Sequence, residues 1–282
     1  LVNEDSLWHR TEDLQYFSYN GSVLADLNYE NKELRSDIED VAAFYLEKGV
    51  NGFKLNNINN IYTYYEEPDE DARLEKNLVW WQSFKLACKE VDPEVYLIGD
   101  IDDRAAVIAP FYKELNTIMN VFIGDRAIPY MIKTQKDMSA DNGMFAKQLR
   151  NIISSYKTYS KSPIDGLYLS TEQNRIMTKV QNNSLKAKLA ASIMMTLPGN
   201  PFIYYGDELG INDENLQHPD STIFNHYTDL IRMWQLHPAL KVGSMIETSD
   251  QNVSVLSYIR YDSKTKENLL IIHNLSDKTQ ET

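Results

Sequence analysis

The middle of the chain switches repeatedly between two hydrophobic periods, and this alternation limits the possible folds more than any other feature. Short apolar runs of strand length predict β-strands over residues 50–55, 95–99, 117–123, 166–169 and 202–205. Between and after them, apolar residues recur at helical spacing and predict helices over 71–91, 105–115, 144–156, 185–197 and 221–236. An earlier helix carries Ile38, Val41, Ala42, Tyr45 and Leu46 on one face, with a Ser36–Glu39 capping box at its start and Gly49 at its end. Strands that alternate with helices across short loops pair in parallel, with helical crossovers. Two later runs, 253–261 and 268–274, have no helix between them and predict an antiparallel pair. Residues 1–35 read as polar loop with scattered aromatics.

Charge then narrows the partners. Lys and Arg number 28 against 41 Asp and Glu, a formal net charge of -13. An acidic surface repels phosphate backbones and anionic lipid heads, and no basic cluster along the chain offsets it. Nucleic acid and membrane surfaces are thereby disfavoured, and neutral ligands stay open. No apolar run approaches the roughly 20 residues of a membrane helix. Cys88 is the single cysteine, so an intrachain disulfide is excluded, a usage compatible with a cytosolic or a secreted protein. It lies in an apolar helical pattern and reads as packing. The chain opens on Leu1 with no visible signal peptide, so its start reads as cut.

In parallel α/β architectures the chemistry sits at the carboxyl ends of the strands. The residues there are Lys54, Asn56 and Asn57, then Asp100, Asp102 and Asp103, then the run Ser170-Thr171-Glu172-Gln173-Asn174-Arg175, then Asp207 and Glu208. Tyr62, Tyr64 and Tyr65 follow the first strand and have the shape to stack on sugar rings, as do Trp8 and the Trp80-Trp81 pair. Trp81 shares a helix face with Leu74, Leu78 and Cys88 and reads as core. His9, His218, His226, His237 and His273 lack metal-ligand spacing and read as structural or surface residues.

Several stretches resemble the alpha-amylase superfamily of α-glucan hydrolases and transferases. Asp26-Leu27-Asn28-Tyr29-Glu30-Asn31 is similar to the loop before the third barrel helix, and Val50-Asn51-Gly52-Phe53-Lys54-Leu55-Asn56 to the fourth strand. Tyr96-Leu97-Ile98-Gly99-Asp100 resembles the fifth strand, and 169–175 falls where the seventh-strand motif falls. Leu197-Pro198-Gly199-Asn200-Pro201-Phe202-Ile203-Tyr204-Tyr205-Gly206-Asp207-Glu208-Leu209-Gly210 resembles the eighth-strand motif. Order and spacing agree over about residues 20–275. The resemblance implies a partial (β/α)8 TIM barrel holding strands four to eight, with the start of a carboxyl-terminal antiparallel β domain. The implied domains are 1–25, an irregular tail of an inserted domain; 26–240, the partial barrel; and 241–282, the incomplete β domain.

The family cleaves with retention, using two carboxyl groups about 5–5.5 Å apart and a third acid that holds the sugar hydroxyls. This sequence departs from that pattern at each position. Asn56 stands where the resemblance implies an Asp nucleophile, and an amide is neither a good nucleophile nor a charge to stabilise an oxocarbenium ion. Asp100 stands for the Glu acid/base and is one methylene, about 1.5 Å, shorter. Glu172 stands for the third acid, Lys54 for an Arg, and Asn59 and Asn60 for a Lys and a His. The framework residues Gly52, Phe53, Gly99, Arg175, Pro198 and Tyr204-Tyr205-Gly206 all match. The resemblance thus implies Asn56, Asp100 and Glu172 at the catalytic positions, with Lys54, Asn57, Asn60, Tyr62, Thr171 and Arg175 at binding positions. No cofactor and no metal are expected, because the family's calcium loops fall mostly outside this stretch.

Three functions follow as expectations. The first is a glucan-binding or scaffold domain without hydrolase activity. The second is an active hydrolase rebuilt around Asp100 and Glu172. The third is an interaction module like the amylase-like ectodomains of amino-acid transporter heavy chains. Five parallel strands cannot close a barrel of eight and leave two raw edges. The expectation is therefore a piece of a longer chain, or a fragment completed by a partner such as a second copy.

Overall fold

The computed structural model describes residues 7–10, 12–18, 24–137, 145–212, 220–248 and 252–281. The chain forms two compact units, Leu1–Asn51 with Ile61–Val95, and Gly52–Asn60 with Tyr96–Thr282.

The first unit holds β1 (Trp8–Arg10), β2 (Gln15–Phe17), α1 (Lys32–Glu47) and α2 (Glu70–Val91). β1 and β2 pair antiparallel, Trp8 opposite Phe17, within the segment expected to be loop. Cross-strand aromatic packing is the cause, with the Trp8 and Phe17 rings edge-on at 5.6 Å. Helix α1 starts four residues before the Ser36–Glu39 pattern, because the Asn31 side chain accepts from the Glu33 amide at 2.9 Å and caps the helix there. In α2 the rings of Trp80, Trp81 and Phe84 are buried together with Cys88, as their apolar spacing requires. Asn77 is buried beside them, and its amide closes on both the N–H and the carbonyl of Tyr62 at 3.1 and 3.2 Å.

The second unit is built on five parallel strands in the order β3 (Gly52–Leu55), β4 (Tyr96–Ile101), β5 (Thr117–Asn120), β6 (Ile164–Leu167) and β7 (Asn200–Pro201). Their sequence order is their spatial order, so each crossover leads to the adjacent strand. The connections carry α3 (Ala105–Ile108), α4 (Ile128–Thr134), α5 (Phe145–Tyr156), α6 (Ile176–Lys179) and α7 (Ser184–Thr196). After the sheet come α8 (Ser221–Leu236) and α9 (Pro238–Val242). A three-stranded antiparallel sheet follows, formed by β8 (Ser244–Glu247), β9 (Val255–Asp262) and β10 (Glu267–Asn274) with β9 central. The main core joins α4, α5, α7 and α8 to β6 and the antiparallel sheet through residues such as Phe145, Leu149, Leu167, Ile193, Ile223 and Tyr258.

Strand β6 begins and ends two residues before its expected span of 166–169, and three further elements differ from the sequence expectation for local reasons. The run expected as strand to residue 123 ends at Asn120, whose side-chain oxygen accepts from the Ile123 amide at 3.0 Å and turns the chain into a π-helical segment, Phe122–Ala127. The helix expected over 105–115 is α only to Ile108, and the turn Ala109–Lys113 with Pro110 at its start is 3-10. The eighth-motif strand lies two residues early, because Phe202 makes a last bond to the Leu167 carbonyl at 2.6 Å before the chain leaves the sheet. The start of the helix expected at 144 lies outside the described residues.

Gly124 marks a close approach of that π segment to β6. A Cβ there would stand 1.9 Å from the backbone oxygen of Tyr168. Neither backbone can yield cheaply, so Gly124→Ala is expected to destabilise the protein by about 3 kcal/mol in urea unfolding. Gly99→Ala meets only the ends of the Leu115 and Ile58 side chains, at 2.5 and 2.8 Å, and should cost less. A Gly124 variant as stable as wild type would show that the approach is not constrained.

Candidate active site

Strands β3 to β6 end on one side of the sheet, and their last residues form the candidate site. Lys54 is its centre. Its Nζ donates to Asn56 Oδ1 at 2.6 Å and to Asp100 Oδ2 at 2.8 Å, linking the ends of β3 and β4 through one ammonium group. The loop after β3 is held in place from below. Ile58 is fully buried, its N–H donates to the Asp100 carbonyl at 3.1 Å, and the missing side chain of Gly99 makes room for it. Asn57 adopts a left-handed conformation (φ 50°), which Asn tolerates, and its carbonyl accepts from the Asn60 amide. Asn59 donates to Asp103 Oδ2 at 3.3 Å. Asn56, Asn57 and Asn60 are exposed.

A second shell of charge surrounds this pair. Arg126 of the π segment binds Asp102 at 2.6 Å, and Lys179 of α6 binds Asp125 and the Leu169 carbonyl. The Tyr168 phenol sits among them. Burial raises its pKa above the ordinary tyrosine value, and the charges of Asp125, Asp100 and Asp102 add to the rise. Tyr168, Asp125, Arg126 and Lys179 were not singled out in the sequence. Asp125 and Arg126 lie just past the strand expected over 117–123, in a stretch to which the sequence assigns no element.

Glu172 is placed differently. The Thr171 and Asn174 backbones bond to each other in both directions, at 3.1 and 3.4 Å, so Glu172 and Gln173 form the exposed tip of a two-residue turn. Among the described residues nothing bonds to the Glu172 carboxylate, and the structure does not join it to the Lys54–Asp100 cluster. Thr171 is half-buried at the base of that turn. Arg175 donates to the Tyr205 carbonyl at 2.7 Å and lies over the Tyr204 ring at 5.2 Å, so it braces the segment after β7. Beside it, Ser170 receives the Ile176 amide at 2.7 Å and donates to Asp207. Burial pushes the Asp207 carboxyl up to about 6, against the pull of Ser170 and of the Arg175 and Lys179 charges.

Tyr62 does not present the sugar-stacking face expected of it. It is buried in the first unit, its hydroxyl donates to the Tyr29 carbonyl at 2.9 Å, and the Lys76 ammonium covers its ring. Its neighbour Tyr64 is the exposed one. Among the described residues no group of three or more His, Cys, Asp or Glu is disposed to hold a metal ion, and no helix is long and apolar enough to cross a membrane. His218 lies outside them.

One ammonium bonded to one amide and one carboxylate is suited to orienting hydroxyl groups. Retaining glycoside cleavage uses two carboxyl groups about 5–5.5 Å apart, and Asp100 is the carboxylate bonded to Lys54.

The profile of the alpha-amylase catalytic domain matches residues 2–254. Alpha-amylase 3 of Dictyoglomus thermophilum is 29% identical, over 96% of this chain and 59% of that protein. A cyclomaltodextrinase of a Bacillus species is 23% identical, over 92% of this chain and 45% of that protein. Among solved structures, the alpha-amylase from H. orenii superposes with a TM-score of 0.81 at 27% identity, over 95% of this chain and 60% of that one. The chain thus spans roughly half of the length of these relatives, and its five parallel strands are part of a (β/α)8 barrel with an antiparallel sheet after it.

Proposed function

We propose, because this chain belongs to the alpha-amylase catalytic-domain family, that it binds α-glucan at the strand ends and does not hydrolyse it. The observation that carries this reading is the Lys54 bridge. Lys54 stands where the resemblance implies an Arg whose planar fork holds a carboxylate at two points, and here its ammonium holds one amide and one carboxylate. The exposed amides of Asn56, Asn57 and Asn60 offer both donors and acceptors, which suit neutral hydroxyl groups. The acidic net charge likewise favours a neutral ligand. No observation favours the rebuilt hydrolase, since Glu172 stands on an exposed turn tip. The sheet edges, β3 and β7, are where further strands would add, whether from the same polypeptide or from a second copy.

The test is a titration with maltoheptaose by calorimetry, alongside a reducing-sugar assay on soluble starch. Saturable binding without release of reducing ends is expected. Asn56→Ala should weaken the binding by about tenfold, the equivalent of one or two lost hydrogen bonds. Turnover by the unmodified chain that disappears in Asp100→Ala would overturn the reading.

A further inference from the structure

One cleft in this acidic chain is basic. It lies at the amino-terminal ends of β6 and β7, the opposite end of the sheet from Lys54 and Asp100, and encloses about 380 Å³. Arg150 of α5, Lys157 and Lys161 just beyond it, Lys241 of α9 and Arg260 of β9 all line it. These residues are spread from position 150 to position 260, so only the fold brings them together. No basic run along the sequence marks this cleft.

Their counter-charges are few. Arg150 pairs with Glu247 at 3.3 Å. Asp165 is the carboxylate lining the cleft, and its two oxygens are already taken by Tyr112 at 2.5 Å and Asn120 at 3.1 Å. Lys157 and Lys161 form no ion pair among the described residues. Arg260 is the decisive group. It is fully buried, and its Nη atoms donate to the carbonyls of Thr196, Leu240 and Gly243 at 2.7–3.1 Å. Its Nε is buried without a partner, and among the described residues no carboxylate pairs with it. A buried guanidinium facing only carbonyl dipoles leaves a net positive charge beneath the cleft.

We propose that this cleft binds a phosphate dianion, free or as the head of a phosphomonoester. Lys241 donates to the Gln235 carbonyl at 3.0 Å, which leaves the exposed ammonium groups of Lys157 and Lys161 over the buried Arg260 charge, a setting that suits a compact doubly charged oxyanion. The volume lies in the range of small-molecule sites. Ile153, Ile164, Val242 and Met245 form apolar wall that an organic group of the ester would cover.

The experiment is calorimetric titration of the full chain with inorganic phosphate and, separately, with phenyl phosphate at constant ionic strength. One saturable site is expected. The Lys157→Ala/Lys161→Ala variant should bind at least about tenfold more weakly, the loss of one or two charge-assisted hydrogen bonds. Lys32→Ala/Lys89→Ala, outside the cleft, should bind as wild type does, and matching melting curves would show both variants folded. Tighter binding of phenyl phosphate identifies a monoester as the ligand, and equal binding identifies free phosphate. Absence of saturable phosphate binding, unchanged affinity in the Lys157/Lys161 variant, or binding of polyglutamate alone would each overturn the proposal. Maltoheptaose binding is read independently in the same variants, so the two sites fail separately.

Discussion

Replacing Arg260 with methionine is expected to destabilise the protein by about 3–5 kcal/mol, the largest loss from any single substitution considered. The reason is the number of orphans created at once. The guanidinium now satisfies the carbonyl of Thr196 at the end of α7, that of Leu240 in α9 and that of Gly243 beyond it. Met keeps the length and apolar contacts of the stem but donates nothing, so three carbonyls lose their partner in a dry place. Calorimetric melting should fall by about 10 °C or more, given roughly 2–4 °C per kcal/mol for a domain of this size. Arg260→Lys separates charge from geometry. One ammonium cannot span carbonyls on three segments, so it should recover only part of the loss. A methionine variant within about 1 kcal/mol of wild type would mean that water satisfies these carbonyls and that the guanidinium is not the anchor.

The same residue shows why some of the structure is hidden in the sequence. In strand β9 the burial pattern alternates, and Arg260 takes an inward position that the period-two pattern reserves for apolar side chains. Nothing local signals that helix-end carbonyls wait for it there. Strand β8 carries no period-two signal either, since its two apolar residues, Met245 and Ile246, stand side by side between Ser244 and Glu247. By contrast, α8 was read from the sequence with its observed bounds, and α2 and α7 to within a residue, because long amphipathic or apolar segments carry their own caps. Asn183 and Asp220 each accept an amide at the start of their helix, as Asp69 does for α2.

At the candidate site, composition and family pattern reached the positions but not their geometry. That Lys54, Asn56 and Asp100 stand at strand ends follows from the periodicity. That Lys54 reaches Asp100 follows only from the parallel register, which sets Lys54 opposite Ile98 and brings the two strand ends level. Glu172 went the other way. Its place in the chain order resembles a catalytic position, yet the Thr171–Asn174 turn carries it to an exposed tip. Tyr62 failed because a tyrosine after a strand carries no mark of whether its hydroxyl faces water or a backbone carbonyl. The buried Asn77 that fixes the Tyr62 backbone lies 15 positions away.

Stability should rise as pH falls from 6 to 4, unlike the ordinary acid loss of a protein held by carboxylate pairs. Burial pushes Asp165 and Asp207 from an ordinary value of 3.8 up to about 6, despite the bonds each accepts. In the unfolded chain both lose their protons near pH 4, while in the folded chain they keep them to about pH 6. Between these limits the folded state binds more protons, so their contribution is fully present below pH 4 and lost as pH rises through 6. Each is worth on the order of 3 kcal/mol, at about 1.4 kcal/mol per pKa unit. His273 works in the opposite direction. Burial lowers it from 6.5 to about 4 while Thr196 Oγ1 lies 3.0 Å from its Nε2, so it contributes above pH 6.5 and that contribution is lost as pH falls through 4. Burial lowers His226 in the same sense, so two imidazoles oppose the two carboxyls, and because the His226 shift is the small one a net gain on acidification remains. Urea unfolding at pH 4.5 and 6.5 measures it against Asp165→Asn/Asp207→Asn. At position 165 the amide oxygen can face Asn120 and its NH2 the Tyr112 hydroxyl, so the pocket stays satisfied. The double variant should lose the gain and show only the slope of the two imidazoles, His226 and His273, stability falling toward pH 4.5. If wild type and variant changed in parallel over this range, the two buried carboxyls would not be the titrating groups.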